Sequence, residues 1–287
     1  MKIITYNTQW FKGLDEVVDI ARVVRVARDM ADFDVICMQE VAVNYKELSG
    51  TTPPNQPAAL EKLLPGYQVF FCAAVDELSP CGTYRQQFGN LVASRLPVRQ
   101  VQHLALPYPN PVPQTPEQPN VLSMPRACLA LTVMAPWGPV RVMTSHLEFY
   151  SEPARRAQAT ALRDWHRQFS ALAAFAPKVM DGTPYQTKAH TLDTVICGDF
   201  NFEVDSPEHA AMLEAGSGFD LFNSWDLLHP GEPYPATFRI FDRTYGPEPV
   251  GCDFFFVSDS LKHRVKGFAV NQITQSSDHQ PVLLELF

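Results

Sequence analysis

The sequence predicts an α/β fold in one domain spanning residues 1–287, and three observations carry that reading. Strand-like apolar runs and amphipathic helical segments alternate from end to end, the pattern of an α/β architecture. No internal repeat is visible, and no linker separates two apolar halves. Polar groups able to do chemistry recur where strand-like runs end, and that is where α/β sheets gather ligands.

The chain opens on a strand, Met1-Lys2-Ile3-Ile4-Thr5-Tyr6-Asn7. It carries a basic residue but no apolar stretch and no small-residue cleavage site, so no signal peptide is expected. A helix follows, with Val17, Ile20 or Ala21, Val24 and Ala27 at helical spacing and Asp15, Asp19, Arg22 and Asp29 on the other side. Residues 35–38 form a continuous apolar run, read as a buried strand whose carboxyl end carries Gln39 and Glu40. Residues 89–94, 128–134, 140–145, 194–197, 252–257 and 282–287 read similarly.

A long helix is expected from Ser151, its N-cap, with Glu152 and Pro153 in the first turn, to about Phe175. It would partly bury Ala157, Ala161, Leu162, Trp165 and Phe169. Ser206-Pro207-Glu208 announces another helix. In residues 107–119 six of thirteen positions are proline, which excludes a central strand and predicts an exposed, semi-rigid loop. Residues 177–190 read as a surface insertion between helix and strand.

Composition narrows the function classes. A 46% hydrophobic, 19% charged chain is globular rather than disordered. No apolar run approaches the roughly 18 residues of a membrane span, so a soluble protein, most simply cytoplasmic, and no membrane insertion are expected. The net charge of −8 argues against a broad basic face that coats nucleic acid. It leaves room for an enzyme that handles one or two phosphates at a metal-bearing cleft, because the metal supplies local positive charge. The six cysteines form no CxxC or Cys/His cluster, and four sit in apolar runs, which reads as buried free thiols. Cys72 and Cys81 remain open as a pair in an oxidised protein.

The candidate chemistry lies at Asn7, Gln39-Glu40, Ser145-His146, Gly198-Asp199-Phe200-Asn201 and Ser277-Asp278-His279. Each segment alone also has a structural reading. Gly-Asp-Phe-Asn is a turn or a site, and if the chain is extended there Asp199 and Asn201 point the same way. His146 alone reads as a satisfied strand-end histidine, and Asp278-His279 as a turn or a site. Asp253 sits among Cys252, Phe254, Phe255 and Phe256, and a buried carboxylate needs a partner. A histidine suits it, since the hydrogen bond fixes the tautomer and raises base strength.

Taken together and in order, seven segments resemble the endonuclease/exonuclease/phosphatase superfamily. They are Thr5-Tyr6-Asn7-Thr8-Gln9-Trp10, residues 34–41, residues 89–97, Thr144-Ser145-His146-Leu147, Gly198-Asp199-Phe200-Asn201, residues 252–258 and Ser277-Asp278-His279. The resemblance spans essentially the whole chain. It implies a four-layer α/β sandwich, two face-to-face mixed β-sheets flanked by helices, with a cleft at one end of the sheets.

It also implies a metal-dependent phosphoric ester hydrolase. Glu40 is then the principal Mg²⁺ ligand (Mn²⁺ a substitute), with Asn7 nearby and Asp278 as a second carboxylate. His279, oriented by Asp253, is the general base or a phosphate contact. Asp199 and Asn201 position the attacking water and a phosphate oxygen, and His146 stabilises developing charge or protonates the leaving oxygen. Arg126 falls where several members place a phosphate-contacting arginine; a structural ion pair is the other reading. Tyr84-Arg85-Gln86-Gln87-Phe88 offers glutamines where the deoxyribonuclease I-like branch has a glutamate supporting the second histidine. The expected activity is in-line phosphodiester hydrolysis by a monomeric nuclease acting on DNA. The alternatives are a phosphomonoesterase or a lipid or small-molecule phosphoesterase on the same scaffold, and, last, an inactive binding module.

Overall fold

The computed structural model describes residues 1–49, 55–108, 122–180, 182–185, 189–216 and 218–287. Most of the proline-rich stretch at 107–119, and part of the 177–190 insertion, lie outside the described residues. Two six-stranded sheets face each other. The first runs β11 (Val265–Val270), β12 (Val282–Leu286), β1 (Lys2–Asn7), β2 (Val35–Val43), β4 (Arg85–Ser94), β3 (Gln68–Leu78). The second runs β5 (Val98–Ala105), β6 (Ala127–Ala135), β7 (Gly138–His146), β8 (Thr194–Asp199), β10 (Asp253–Ser258), β9 (Leu221–Asn223).

Period-two alternation builds the layers. Ile3, Val35, Cys37 and Val92 of the first sheet meet Leu129, Leu131, Val142, Val195 and Phe255 of the second in one core. The alternate residues face outward. Ile4, Tyr6, Ile36, Met38 and Leu91 pack under α1 (Ile20–Met30) and α3 (Gln56–Leu63). Ala130, Met143, Ile196, Phe254 and Phe256 pack under α4 (Glu152–Ala174) and α5 (Pro207–Leu213). Helix, sheet, sheet, helix is the four-layer sandwich. Two shorter helices, α2 (Lys46–Ser49) and α6 (Ser224–Leu228), complete the set. No helix among the described residues is long and apolar enough to cross a membrane.

Two local expectations shift. The first helix begins at Ile20 rather than near Val17, because Asp19 caps it by accepting from the Arg22 amide, and Val17 stays exposed. The long helix starts where Ser151 was placed and holds Ala157, Ala161, Trp165 and Phe169 half-buried and Leu162 buried, in line with the sequence. Its fully buried stripe also takes in Ala154, Gln158, Ala159, Arg163, His166 and Ser170, with Gln158 donating to the Pro107 carbonyl and Arg163 to the Ala211 carbonyl. Strand β2 does not end at Met38; it continues to Val43 through a bulge. All six cysteines are free, five of them buried.

Candidate active site

Strand direction brings the candidate residues to one end of the sandwich. In each sheet the central pair is parallel, β1 beside β2 and β7 beside β8. Asn7, His146 and Asp199 are the last residues of β1, β7 and β8. Strand β10 runs antiparallel to β8, so its first residue, Asp253, stands opposite Asp199. Strand β12 runs antiparallel to β1, so the segment entering it, with Asp278 and His279, arrives beside the end of β1. Glu40 arrives differently. Met38 pairs with Leu91 and Val41 with Gly89, so Gln39 and Glu40 together oppose Asn90. This bulge, with Glu40 at a left-handed φ of 61°, re-aims its carboxylate.

Hydrogen bonds tie these groups into one network. Asn7 Nδ2 donates to Glu40 Oε1 at 3.1 Å and to Asp199 Oδ2 at 2.8 Å, while Asn7 Oδ1 accepts from the Gln9 amide. The same Asp199 oxygen lies 3.4 Å from His146 Nε2 and 3.5 Å from His279 Nε2. Its other oxygen accepts from the Asn201 amide at 2.9 Å. Asn201, at a left-handed φ of 52°, donates Nδ2 to the Leu147 carbonyl. Asp253 Oδ2 lies 2.9 Å from His279 Nδ1 and accepts from Thr237 Oγ1 at 2.6 Å. Phe238 stacks on the His279 ring, centroids 4.3 Å apart.

The electrostatics follow from burial. Glu40 is pushed up to about 7, first by burial and then by repulsion from Asp278, and burial raises Asp278 as well. Burial followed by the Arg126 charge lowers His146 to about 3, so its imidazole is neutral and offers a single N–H. Burial also opposes charge on His279. Asp253 and Asp199, one on each ring nitrogen, outweigh it and hold the histidine well above its ordinary value.

Two half-buried carboxylates that repel each other fit a divalent cation, and hard oxygen donors with room for water suit magnesium-like ions. Glu40 and Asp278 both line a cavity of about 320 Å³. Asp278 is oriented by Gln9 Nε2 at 3.0 Å and by Ser277 Oγ at 3.2 Å. Gln9 Oε1 is buried without a hydrogen-bond partner, a further oxygen donor at this site. A second cluster, Asp199, Cys252 and His279, brings three ligand atoms within 4.8 Å of one another. It fits less well, because burial raises the Cys252 thiol far above its ordinary value and Asp253 already engages His279.

The cavity walls supply what could hold a substrate. Arg126 is 6% exposed, with Nε 3.7 Å from Glu148 Oε2, and neither Nε nor Nη1 has a hydrogen-bond partner. Trp10, Phe149, Tyr150 and Tyr245 line the same space. Phe149 meets Tyr150 and Tyr245 edge-on, with centroids 4.9 and 5.8 Å away.

All nine site residues expected from the sequence therefore belong to one region. Asn7, Glu40, His146, Asp199, Asp253, Asp278 and His279 form its centre, and Asn201 and Arg126 belong to the cavity wall. The glutamate absent from residues 84–88 is not replaced there; the carboxylates near His146 are Asp199 and Glu40, the latter 3.8 Å from Nδ1. The sequence alone assigned no role to Gln9 or Glu148. Glu148 is 1% exposed, and its position two residues after His146 was the available signal.

Comparisons with known proteins agree with this fold. A family model described as the Endonuclease/Exonuclease/phosphatase family matches residues 4–279. A protein of that family from Beutenbergia cavernae is 22% identical, with a TM-score of 0.68 over 100% of this chain and 71% of the other. The mannosyl-6-phosphatase of Bacteroides thetaiotaomicron is 18% identical, with a TM-score of 0.67 over 100% of this chain and 99% of its own. D. rerio TDP2, solved with a single-strand DNA product, is 16% identical, with a TM-score of 0.64 over 99% of this chain and 97% of its own. No curated protein sequence matches.

Proposed function

The chain belongs to the endonuclease/exonuclease/phosphatase family of metal-dependent phosphoester hydrolases, and from that premise we propose that it hydrolyses phosphodiester bonds in DNA with Mg²⁺. The observation that carries the reading is one cavity where the carboxylate pair Glu40 and Asp278 faces the Asp253–His279–Asp199 row. Glu40 and Asp278 would hold the cation, with Asn7 bridging Glu40 to Asp199. A bound divalent cation neutralises charge on the phosphoryl oxygens.

The remaining work belongs to side chains. Asp199, fixed by Asn7, orients the attacking water in line with the leaving oxygen and takes its proton. A histidine with a carboxylate at each ring nitrogen donates from both, so His279 contacts a phosphoryl oxygen as the charge develops. Neutral His146 and Asn201 donate to the oxygens around phosphorus, and Arg126 offers its unpartnered N–H groups to a phosphate. The aromatic wall supports nucleic acid as the substrate, since bases stack on such side chains whatever their sequence.

A panel of single-stranded DNA, duplex DNA, RNA, a chromogenic diester and a chromogenic monoester, each with Mg²⁺ and with EDTA, tests this reading. It expects Mg²⁺-dependent cleavage of DNA and the diester. Brisk turnover of the monoester with no cleavage of either would replace it with a phosphomonoesterase. That second reading is favoured by one observation: Arg126 is the single arginine lining the cavity among the described residues, and no lysine does.

A further inference from the structure

A second cavity, of about 280 Å³, lies at the other end of the second sheet, between α4 and strands β5 to β7. Its lining includes Gln100, Gln102, Arg141, Phe169, Lys178 and His190, and no carboxylate among the described residues. Arg141 sits near the amino end of β7, five residues from His146. At roughly 3.3 Å per residue this places it about 17 Å from the active site.

Arg141 is 2% exposed. Its Nη1 makes two long contacts, 3.4 Å each, to the Thr191 carbonyl and to Thr194 Oγ1, and its Nε has no partner. The guanidinium lies 4.4 Å from the centre of the Phe169 ring, which fixes its plane against the cavity wall. Burial lowers it to about 10, with no carboxylate among the described residues opposing the shift. The other buried and half-buried arginines next to the second sheet differ. Arg126 faces Glu148, Arg155 binds Glu208, and Arg163 binds Glu214 and Asp164. A guanidinium taken out of water without a counter-ion is costly, and buried charges are ordinarily paired. The ring nitrogen His190 Nε2, also buried, lacks a partner in the same lining.

We propose that this cavity is a binding site for a compact phosphate group, held by the Arg141 guanidinium with Lys178 and His190. The oxyanion completes the ion pair that Arg141 lacks, accepting from its planar N–H fork. The site is independent of the catalytic reading.

Thermal melting of the Mg²⁺-loaded protein, with inorganic phosphate or methylphosphonate as the probe, tests the site. The active site's own response is common to wild type and variant, so their difference isolates this cavity. Arg141→Met removes an unpaired buried charge. It is expected to melt no lower than wild type in phosphate-free buffer and to lose the phosphate-dependent rise assigned to this site. Lys178→Glu, on the exposed rim, leaves the fold intact and weakens phosphate binding about tenfold. Arsenate soaked into crystals should give an anomalous peak beside Arg141. A rise with inorganic phosphate alone assigns the site to the free ion, and one with both probes to a phosphate carried on a larger molecule. A lower melting point for Arg141→Met in every buffer with an unchanged phosphate response overturns the proposal. So does an unchanged response in Lys178→Glu, or an arsenate peak confined to the active site.

Discussion

The Asp253–His279 contact yields the sharpest prediction. Asp253 Oδ2 accepts from both His279 Nδ1 (2.9 Å) and Thr237 Oγ1 (2.6 Å), while Oδ1 is buried without a partner. In Asp253→Asn the amide oxygen can occupy the Oδ2 position and keep both bonds, leaving its NH₂ where Oδ1 stood. The variant therefore preserves the geometry and removes the charge. A hydrogen bond to a charged group contributes about 1.5–3 kcal/mol, so kcat should fall roughly 10- to 150-fold. KM should change little, because the contact strengthens as charge develops at phosphorus. The assay is steady-state hydrolysis of a chromogenic phosphodiester with saturating Mg²⁺, alongside circular dichroism to check the fold. A folded variant with wild-type kcat and raised KM would refute the reasoning and make His279 a ground-state contact.

Other perturbations follow from the same geometry. Glu40→Gln should abolish diester hydrolysis yet raise the melting temperature of metal-stripped protein, since it removes repulsion with Asp278; a lower melting point there contradicts that electrostatic account. Gly198→Ala would set a Cβ 1.9 Å from the Ser145 carbonyl oxygen at a φ of 141°, and should cost about 3 kcal/mol or more in a denaturant titration. With an acidic chain and few cationic groups at the cavity, the salt slope for DNA binding should correspond to roughly two or three phosphates, at about −0.9 each on duplex DNA; a steep slope would reveal a basic track elsewhere. The exposed Cys81 thiol is lowered to about 7 by hydrogen bonds with Ser79 and then Thr83, whereas burial raises Cys72 to about 11. Thiolate is the reactive form, so alkylation at Cys81 should climb as pH rises through 7 while Cys72 stays inert; equal rates at the two would contradict this.

Much of the site was legible because strand ends are local features. Asn7, His146 and Asp199 each follow an apolar run, and Asp253 betrayed itself as a carboxylate inside one. Glu40 was found for the wrong local reason. The apolar run 35–38 looks like a whole strand, but Val41, Ala42 and Val43 continue it beyond a bulge that periodicity cannot register. Strand β5 escaped notice because it lies at a sheet edge, where Gln100 and Gln102 occupy its half-buried face, so no apolar alternation marks it. Gln9 and Thr237 matter through partners 269 and 16 residues away, and such pairings have no signature at either end of the chain. The counter-ion missing from Arg141 is equally silent in sequence, since only the packed structure shows that no carboxylate among the described residues approaches.

The proposed cation site, Glu40 with Asp278, is open to one direct measurement. Crystals grown with Mn²⁺ in place of Mg²⁺ should give one anomalous difference peak between the Glu40 and Asp278 carboxylates, absent in Glu40→Gln. A peak among Asp199, Cys252 and His279 instead, persisting in that variant, would contradict the account.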